Sequence, residues 1–124
     1  MVWIHGGDFY AGSANSAQTT GEVLAAKTDV IVVTFNYRFG WFGFLYAGSD
    51  EAPGNMALWD QALALKWVNE NIYHFGGDPN RVTIIGANSG SISVAAHILS
   101  PITRNLYQNA IMASGGPLSD AFMH

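Results

Sequence analysis

The stretch Asp78-Pro79-Asn80-Arg81-Val82-Thr83-Ile84-Ile85-Gly86-Ala87-Asn88-Ser89-Gly90-Ser91 decides the fold. Its Pro-containing turn leads into residues 81–85, an apolar, β-branched run of the kind that forms a strand buried on both faces. Gly86-Ala87-Asn88-Ser89-Gly90 ends that strand, and residues 89–99 read as a helix broken by Pro101. A strand that turns sharply into a helix needs very small residues two before and two after the apex. Gly86 and Gly90 stand at those places. The apex side chain is then pushed into the open, beside helix N–H groups that point toward a bound anion.

The same grammar extends along the chain. Residues 1–5 read as a short strand ended by Gly6-Gly7, and residues 29–36 (DVIVVTFN) as a strand buried on both faces. Residues 108–113 form a fourth strand, followed by Ser114-Gly115-Gly116-Pro117. Residues 21–27 are a short helix. Residues 55–75 are a longer one, with Ala57, Leu58, Ala62, Leu65, Val68 and Ile72 at helical spacing. Asn55 is placed to cap it, and Gly76-Gly77-Asp78-Pro79 stops it. Residues 37–54 read as a long aromatic, glycine-rich loop with a short strand at 41–45. Strands alternating with helices predict an α/β fold with a mostly parallel sheet flanked by helices.

Composition narrows the function. The chain has 124 residues, room for one small domain or a piece of a larger one. Only 11% of residues are charged, against roughly 25% in an ordinary free-standing domain. That deficit suggests a surface meant to be covered by other protein. The net charge is −4 with the basic residues scattered, which excludes a nucleic-acid footprint. Without cysteine there is no disulfide framework, Cys-ligated zinc or thiol nucleophile. No apolar run reaches the roughly 18 residues of a membrane span. Met1 to Gly7 lacks the basic and apolar regions of a signal peptide. A chain that opens inside a strand is expected to be cut from something longer.

Two glycine-rich strand exits carry the chemistry: His5-Gly6-Gly7-Asp8-Phe9 and Gly86-Ala87-Asn88-Ser89-Gly90. Ligands of α/β sheets gather at the carboxyl ends of strands, where both exits lie.

Around these exits the chain resembles the type-B carboxylesterase/cholinesterase family of α/β-hydrolases. The stretches that carry the resemblance begin with Val2-Trp3-Ile4-His5-Gly6-Gly7, Asn36-Tyr37-Arg38-Phe39-Gly40 and Gly43-Phe44-Leu45. They continue through Ala52-Pro53-Gly54-Asn55, Leu58-Trp59-Asp60-Gln61, Ala64-Leu65-Lys66-Trp67-Val68 and Asn71-Ile72. They close with Phe75-Gly76-Gly77-Asp78-Pro79-Asn80-Arg81-Val82-Thr83-Ile84 and Leu99-Ser100-Pro101. Residues 1–124 are therefore read as a partial carboxylesterase type-B domain, the central part of an α/β-hydrolase fold. The resemblance implies the strand order 29–36, 1–5, 81–85, 108–113. It implies hydrolysis of carboxylic esters through a serine acyl-enzyme, with no cofactor or metal, and a secreted or membrane-anchored setting. The triad acid and histidine follow later in such chains. By position, the oxyanion-hole donors would be the N–H groups of Gly7, Asp8 and Ser89.

The sequence departs from the family at the chemical centre. The nucleophile position falls on Asn88, and a carboxamide nitrogen is not nucleophilic. Ala87 replaces the usual acidic residue, and Asp8 stands where a third glycine is usual. A carboxylate there opposes a developing oxyanion. Loss of the nucleophile from a serine protease costs roughly 10⁶ in turnover. Three readings follow. One is a catalytically silent, binding or adhesion-type relative with an extracellular protein partner. Another is an active esterase for small carboxylic esters that uses Ser89 in a shifted elbow, Ala87-Asn88-Ser89-Gly90-Ser91. The third is a partial gene product without activity of its own.

Other residues are given structural roles. His5 is read as a loop histidine, His74 and His97 as surface or core filling on helices, and His124 as a cut end. Ser114 is read as support behind the elbow. Arg38 and Asp60 are expected to form a buried ion pair between loop and helix. The aromatic cluster at 37–46 is read as core.

Overall fold

The computed structural model describes residues 1–118; His124 lies outside them. The chain runs β1 (Val2–Ile4), α1 (Glu22–Lys27), β2 (Val33–Thr34), α2 (Gly40–Phe44), β3 (Tyr46–Ser49), β4 (Ala52–Pro53) and α3 (Met56–Asn71). A 3₁₀ turn, Ile72–Phe75, extends α3 before β5 (Thr83–Ala87), α4 (Ser89–Leu99) and β6 (Asn109–Ala113). Four strands form one parallel sheet in the order β2-β1-β5-β6, and β3 and β4 pair as a small antiparallel hairpin. The architecture is an α/β fold with a mostly parallel sheet flanked by helices, in the strand order expected.

The core is built from Val2 and Ile4 on β1, Ile84 on β5, Val94 on α4, and Ala57, Leu65 and Val68 on α3. On α3 the buried positions are Ala57, Gln61, Leu65 and Val68, a stripe at the helical repeat. Almost all of α4 is buried, from Ser89 to Ala95 and again at His97. This is why its sequence is small and nearly uncharged.

Four expectations change. Residues 29–36 do not form a strand buried on both faces: only Val33 and Thr34 pair, opposite Val2 and Trp3, and the run is half-buried. β2 lies at the edge of the described sheet, so only one of its sides has a ladder partner. The strand expected at 41–45 is instead the helix α2, and the following residues supply the hairpin. The aromatic cluster is not uniformly core. Tyr37 is buried, but Trp41, Phe42 and Tyr46 are exposed, because α2 turns Gly43 toward Ala57 and sends Trp41 and Phe42 outward. At α3, Asn55 occupies the capping position with φ 59° but makes no side-chain cap hydrogen bond.

Candidate active site

The parallel register brings the two glycine exits together. Ile4 pairs with Gly86, so the chain leaving β1 at His5-Gly6-Gly7 runs beside the chain leaving β5 at Ala87-Asn88-Ser89. The approach is close enough to require glycines. A Cβ on Gly86 would overlap the Gly90 carbonyl, and a Cβ on Gly90 would overlap the Ile4 carbonyl. A Cβ on Gly6 would stand 3.1 Å from the Asn88 Cβ.

Asn88 stands at the apex, between β5 and α4, with φ 55° and ψ −124°. Asparagine tolerates positive φ better than most residues. Behind the apex, the Asn88 N–H donates to the Ala113 carbonyl at 3.0 Å, and the Ser91 hydroxyl donates to the Gly115 carbonyl at 2.7 Å. The residues on either side of Ser114 thus brace the elbow through their carbonyls. Ser114 itself makes the turn there with φ 61° and its side chain is exposed.

Above the apex the Asn88 carboxamide closes a ring with the glycine loop that follows β1. The Gly7 and Asp8 N–H groups both donate to Asn88 Oδ1, at 3.2 and 3.0 Å. Asn88 Nδ2 donates in turn to Asp8 Oδ1 at 2.8 Å. Gly7, Asp8 and Phe9 all have positive φ (126°, 53° and 62°). The turn made by these residues brings two successive N–H groups, those of Gly7 and Asp8, to one point, as in the backbone N–H concavities that bind anions. Two of the three expected donors therefore converge on one oxygen, and that oxygen belongs to the protein. A cleft of about 810 Å³ opens beside Asp8, lined by Phe9, Tyr10, Trp41, Phe44 and Tyr46 among others.

Ser89 is placed very differently. It is 1% exposed, at the start of α4 and against the core. Its hydroxyl faces Tyr37, whose phenol is pushed up to about 12 chiefly by burial. Tyr37 donates to the His5 carbonyl and stacks on the His5 ring at 4.3 Å. The His5 Nδ1–H donates to the Gly6 carbonyl at 2.9 Å. His5 is thus a buried prop beneath the glycine loop that follows β1.

His97 is buried at the other end of α4. Its Nε2–H donates to Gln61 Oε1 at 2.9 Å, and its Nδ1 faces the Thr103 hydroxyl at 3.2 Å. Gln61 Nε2 donates to the Ser93 hydroxyl, which donates to the Ser89 carbonyl, both at 3.0 Å. Burial pulls the His97 imidazole down to about 4. The sequence alone does not assign Gln61 a role. The signal was its place in the stripe Ala57, Gln61, Leu65, where a polar residue at a core position demands a partner. His74, by contrast, is exposed at the end of α3.

Arg38 and Asp60 pair as expected in geometry but not in burial. Arg38 Nε and Nη2 donate to the two Asp60 oxygens at 2.8 Å each, and the Arg38 N–H adds a third bond at 3.0 Å. The side chains are 54% and 26% exposed, because Arg38 follows the strand out to the surface. The Arg38 guanidinium holds the Asp60 carboxyl below the usual carboxylate range. Among the described residues, no group of three or more His, Asp or Glu side chains is placed to hold a metal, and no helix is long and apolar enough to cross a membrane.

Known proteins extend these observations. Residues 1–124 match the Carboxylesterase family. The chain is 51% identical over 119 residues to Cholinesterase 1 of Branchiostoma lanceolatum, covering 96% of the chain and 33% of that protein. It is 53% identical over 118 residues to acetylcholinesterase of Danio rerio, covering 94% of the chain and 19% of that protein. Acetylcholinesterase of Leptinotarsa decemlineata is 45% identical over 121 residues, with 93% and 19% covered. The chain thus spans between a fifth and a third of the length of these relatives. With two glycine exits in register, a strand-to-helix elbow between them and a match over its whole length, the chain belongs to the carboxylesterase family.

Proposed function

We propose that the protein carrying this chain is a catalytically silent, cholinesterase-like relative that binds rather than hydrolyses. The observation that supports this reading is the ring between Asn88 and Asp8. The apex carries no hydroxyl, and its carboxamide oxygen takes the two N–H donors that an ester oxyanion would need. A ligand would have to displace that oxygen and approach the Asp8 carboxylate. The ligand class suggested by the named relatives is a choline-type carboxylic ester. The partner of a silent protein would be an extracellular protein. An esterase acting through Ser89 is less well supported, since that hydroxyl is buried against Tyr37.

The experiment is organophosphate labelling and chromogenic ester hydrolysis by the full-length protein. Neither Asn88 nor Ser89 should be labelled, and hydrolysis should stay at background. Covalent label on Ser89, mapped by peptide mass spectrometry, would overturn the proposal in favour of the shifted elbow.

A further inference from the structure

We infer that Asn88 is a self-modifying residue, which the elbow converts to aspartate and isoaspartate through a cyclic imide. Two features of the apex point there. The first is the backbone torsion. The Cβ of an L-residue stands about 120° from its own nitrogen around the Cα–C axis. With ψ at −124°, the bond to the Ser89 nitrogen nearly eclipses the Cα–Cβ bond. A five-membered ring through the Ser89 nitrogen and the Asn88 Cγ needs that eclipsed arrangement. Unfolded chain visits it seldom, whereas this elbow holds it permanently. The second is polarisation. The carbonyl to be attacked already accepts from the Gly7 and Asp8 N–H groups at 3.2 and 3.0 Å. These donors can stabilise an oxyanion made from the protein's own carboxamide, while the Asp8 carboxylate, which would oppose an oxyanion, is hydrogen-bonded to Nδ2 and not placed at Oδ1.

The steps balance with water as the co-reactant. The Ser89 nitrogen gives its proton to solvent and bonds to the Asn88 Cγ. The carbonyl electron pair moves onto Oδ1, beneath the two donors. Collapse of that oxyanion breaks the Cγ–Nδ2 bond, and Nδ2 takes a proton from solvent and leaves as ammonia. Asp8 Oδ1, which accepts from Nδ2 at 2.8 Å, lies on the path by which that proton arrives. Water then opens the imide at either carbonyl. One water is consumed, one ammonia is released, and nothing is oxidised. Asn88 is exposed, so water reaches it.

The chain contains its own control. Asn15-Ser16 is the same dipeptide, and Asn15 is exposed in a loop. The test is peptide mapping of the folded full-length protein incubated in ¹⁸O-water at mildly alkaline pH, with a parallel sample in strong urea. Asn88 should exchange its amide for ¹⁸O-bearing acid roughly tenfold or more faster than Asn15, given what paired oxyanion donors contribute. The product should contain both aspartate and isoaspartate, and in urea the two rates should converge. A rate at Asn88 equal to or below that at Asn15 in the folded protein would overturn the inference. An excess that persists in urea would also do so, by tracing it to local sequence. Aspartate without isoaspartate would rule out the ring.

Discussion

The underside and the rim of the elbow obey different rules. Below Asn88, backbone meets backbone: Gly86 against the Gly90 carbonyl, Gly90 against the Ile4 carbonyl, and Gly6 against the Ala87 carbonyl at 2.5 Å from where a Cβ would stand. Above Asn88, two exposed side chains, Asn88 and Asp8, hold each other through hydrogen bonds. The underside is fixed by the fold, since any added carbon must push a strand from a helix. The rim is fixed by chemistry alone and packs nothing. The shape of the elbow therefore does not depend on which side chains occupy its rim.

Substitution on the underside should be the most damaging. Gly90→Ala places a methyl on the Ile4 carbonyl, an obstacle that has no rotamer to escape into. Overpacking against backbone should cost about 3 kcal/mol or more. Urea denaturation of the full-length protein should show the midpoint falling accordingly. A loss below about 1 kcal/mol would mean that β1 and α4 can part without penalty, and the contrast between underside and rim would fail.

The next effect comes through the network beneath α4. His97 has its folded value lowered to about 4 from an ordinary 6.5, so the unfolded chain binds the proton more readily. Its contribution is fully present above pH 6.5 and is lost as pH falls toward 4. By pH 4.5 the loss should be about 2–3 kcal/mol. Comparing urea midpoints at pH 7 and 4.5 for the wild type and His97→Gln isolates this from the carboxylates. The variant should show the shallower fall. Equal slopes would mean that His97 is not held neutral by burial.

These two regions also differ in how legible they were. Gly86, Gly90 and the strand order could be read because steric demands restrict residue type and fix the spacing. The meeting of Gly7 and Asp8 with the apex followed from parallel strands exiting at one end. The ring itself could not be read, since nothing in a sequence says which way a carboxamide turns. Pairing with Asp60 does not imply enclosure for Arg38, because the chain beyond the edge strand β2 carries it out to solvent. Trp41 and Phe42 are exposed for a related reason: apolar content predicts burial only when the element, here a one-turn helix rather than a strand, is known. Gln61 showed only its spacing, and its partners lie in α4, more than thirty residues away.

A smaller effect is expected at the ion pair. Arg38→Ala removes two side-chain bonds to Asp60 but leaves the Arg38 N–H donating to Asp60 Oδ2. Both partners are solvent-accessible, and exposed pairs are screened. The thermal midpoint should fall slightly, far less than in Gly90→Ala, and the fall should shrink further at high salt. A loss rivalling Gly90→Ala would put the loop-to-helix tie on the same footing as the elbow packing.

The smallest effect is expected at the apex itself. Asn88→Gly removes three side-chain hydrogen bonds, which in an exposed site should contribute at the low end of about 0.5–1.5 kcal/mol each. Against this, a non-glycine residue at φ 55° and ψ −124° stores about 1–3 kcal/mol of backbone strain. Glycine relieves that strain while adding some freedom to the unfolded chain. The opposing contributions should leave stability within about 1 kcal/mol of the wild type. What should change is hydrogen exchange at the Gly7 and Asp8 amides, which lose their acceptor and should exchange faster. A destabilisation above about 3 kcal/mol would show instead that the carboxamide clamps residues 6–10 onto the elbow. The rim would then be part of the fold, with the Asn88 carboxamide as a structural tie.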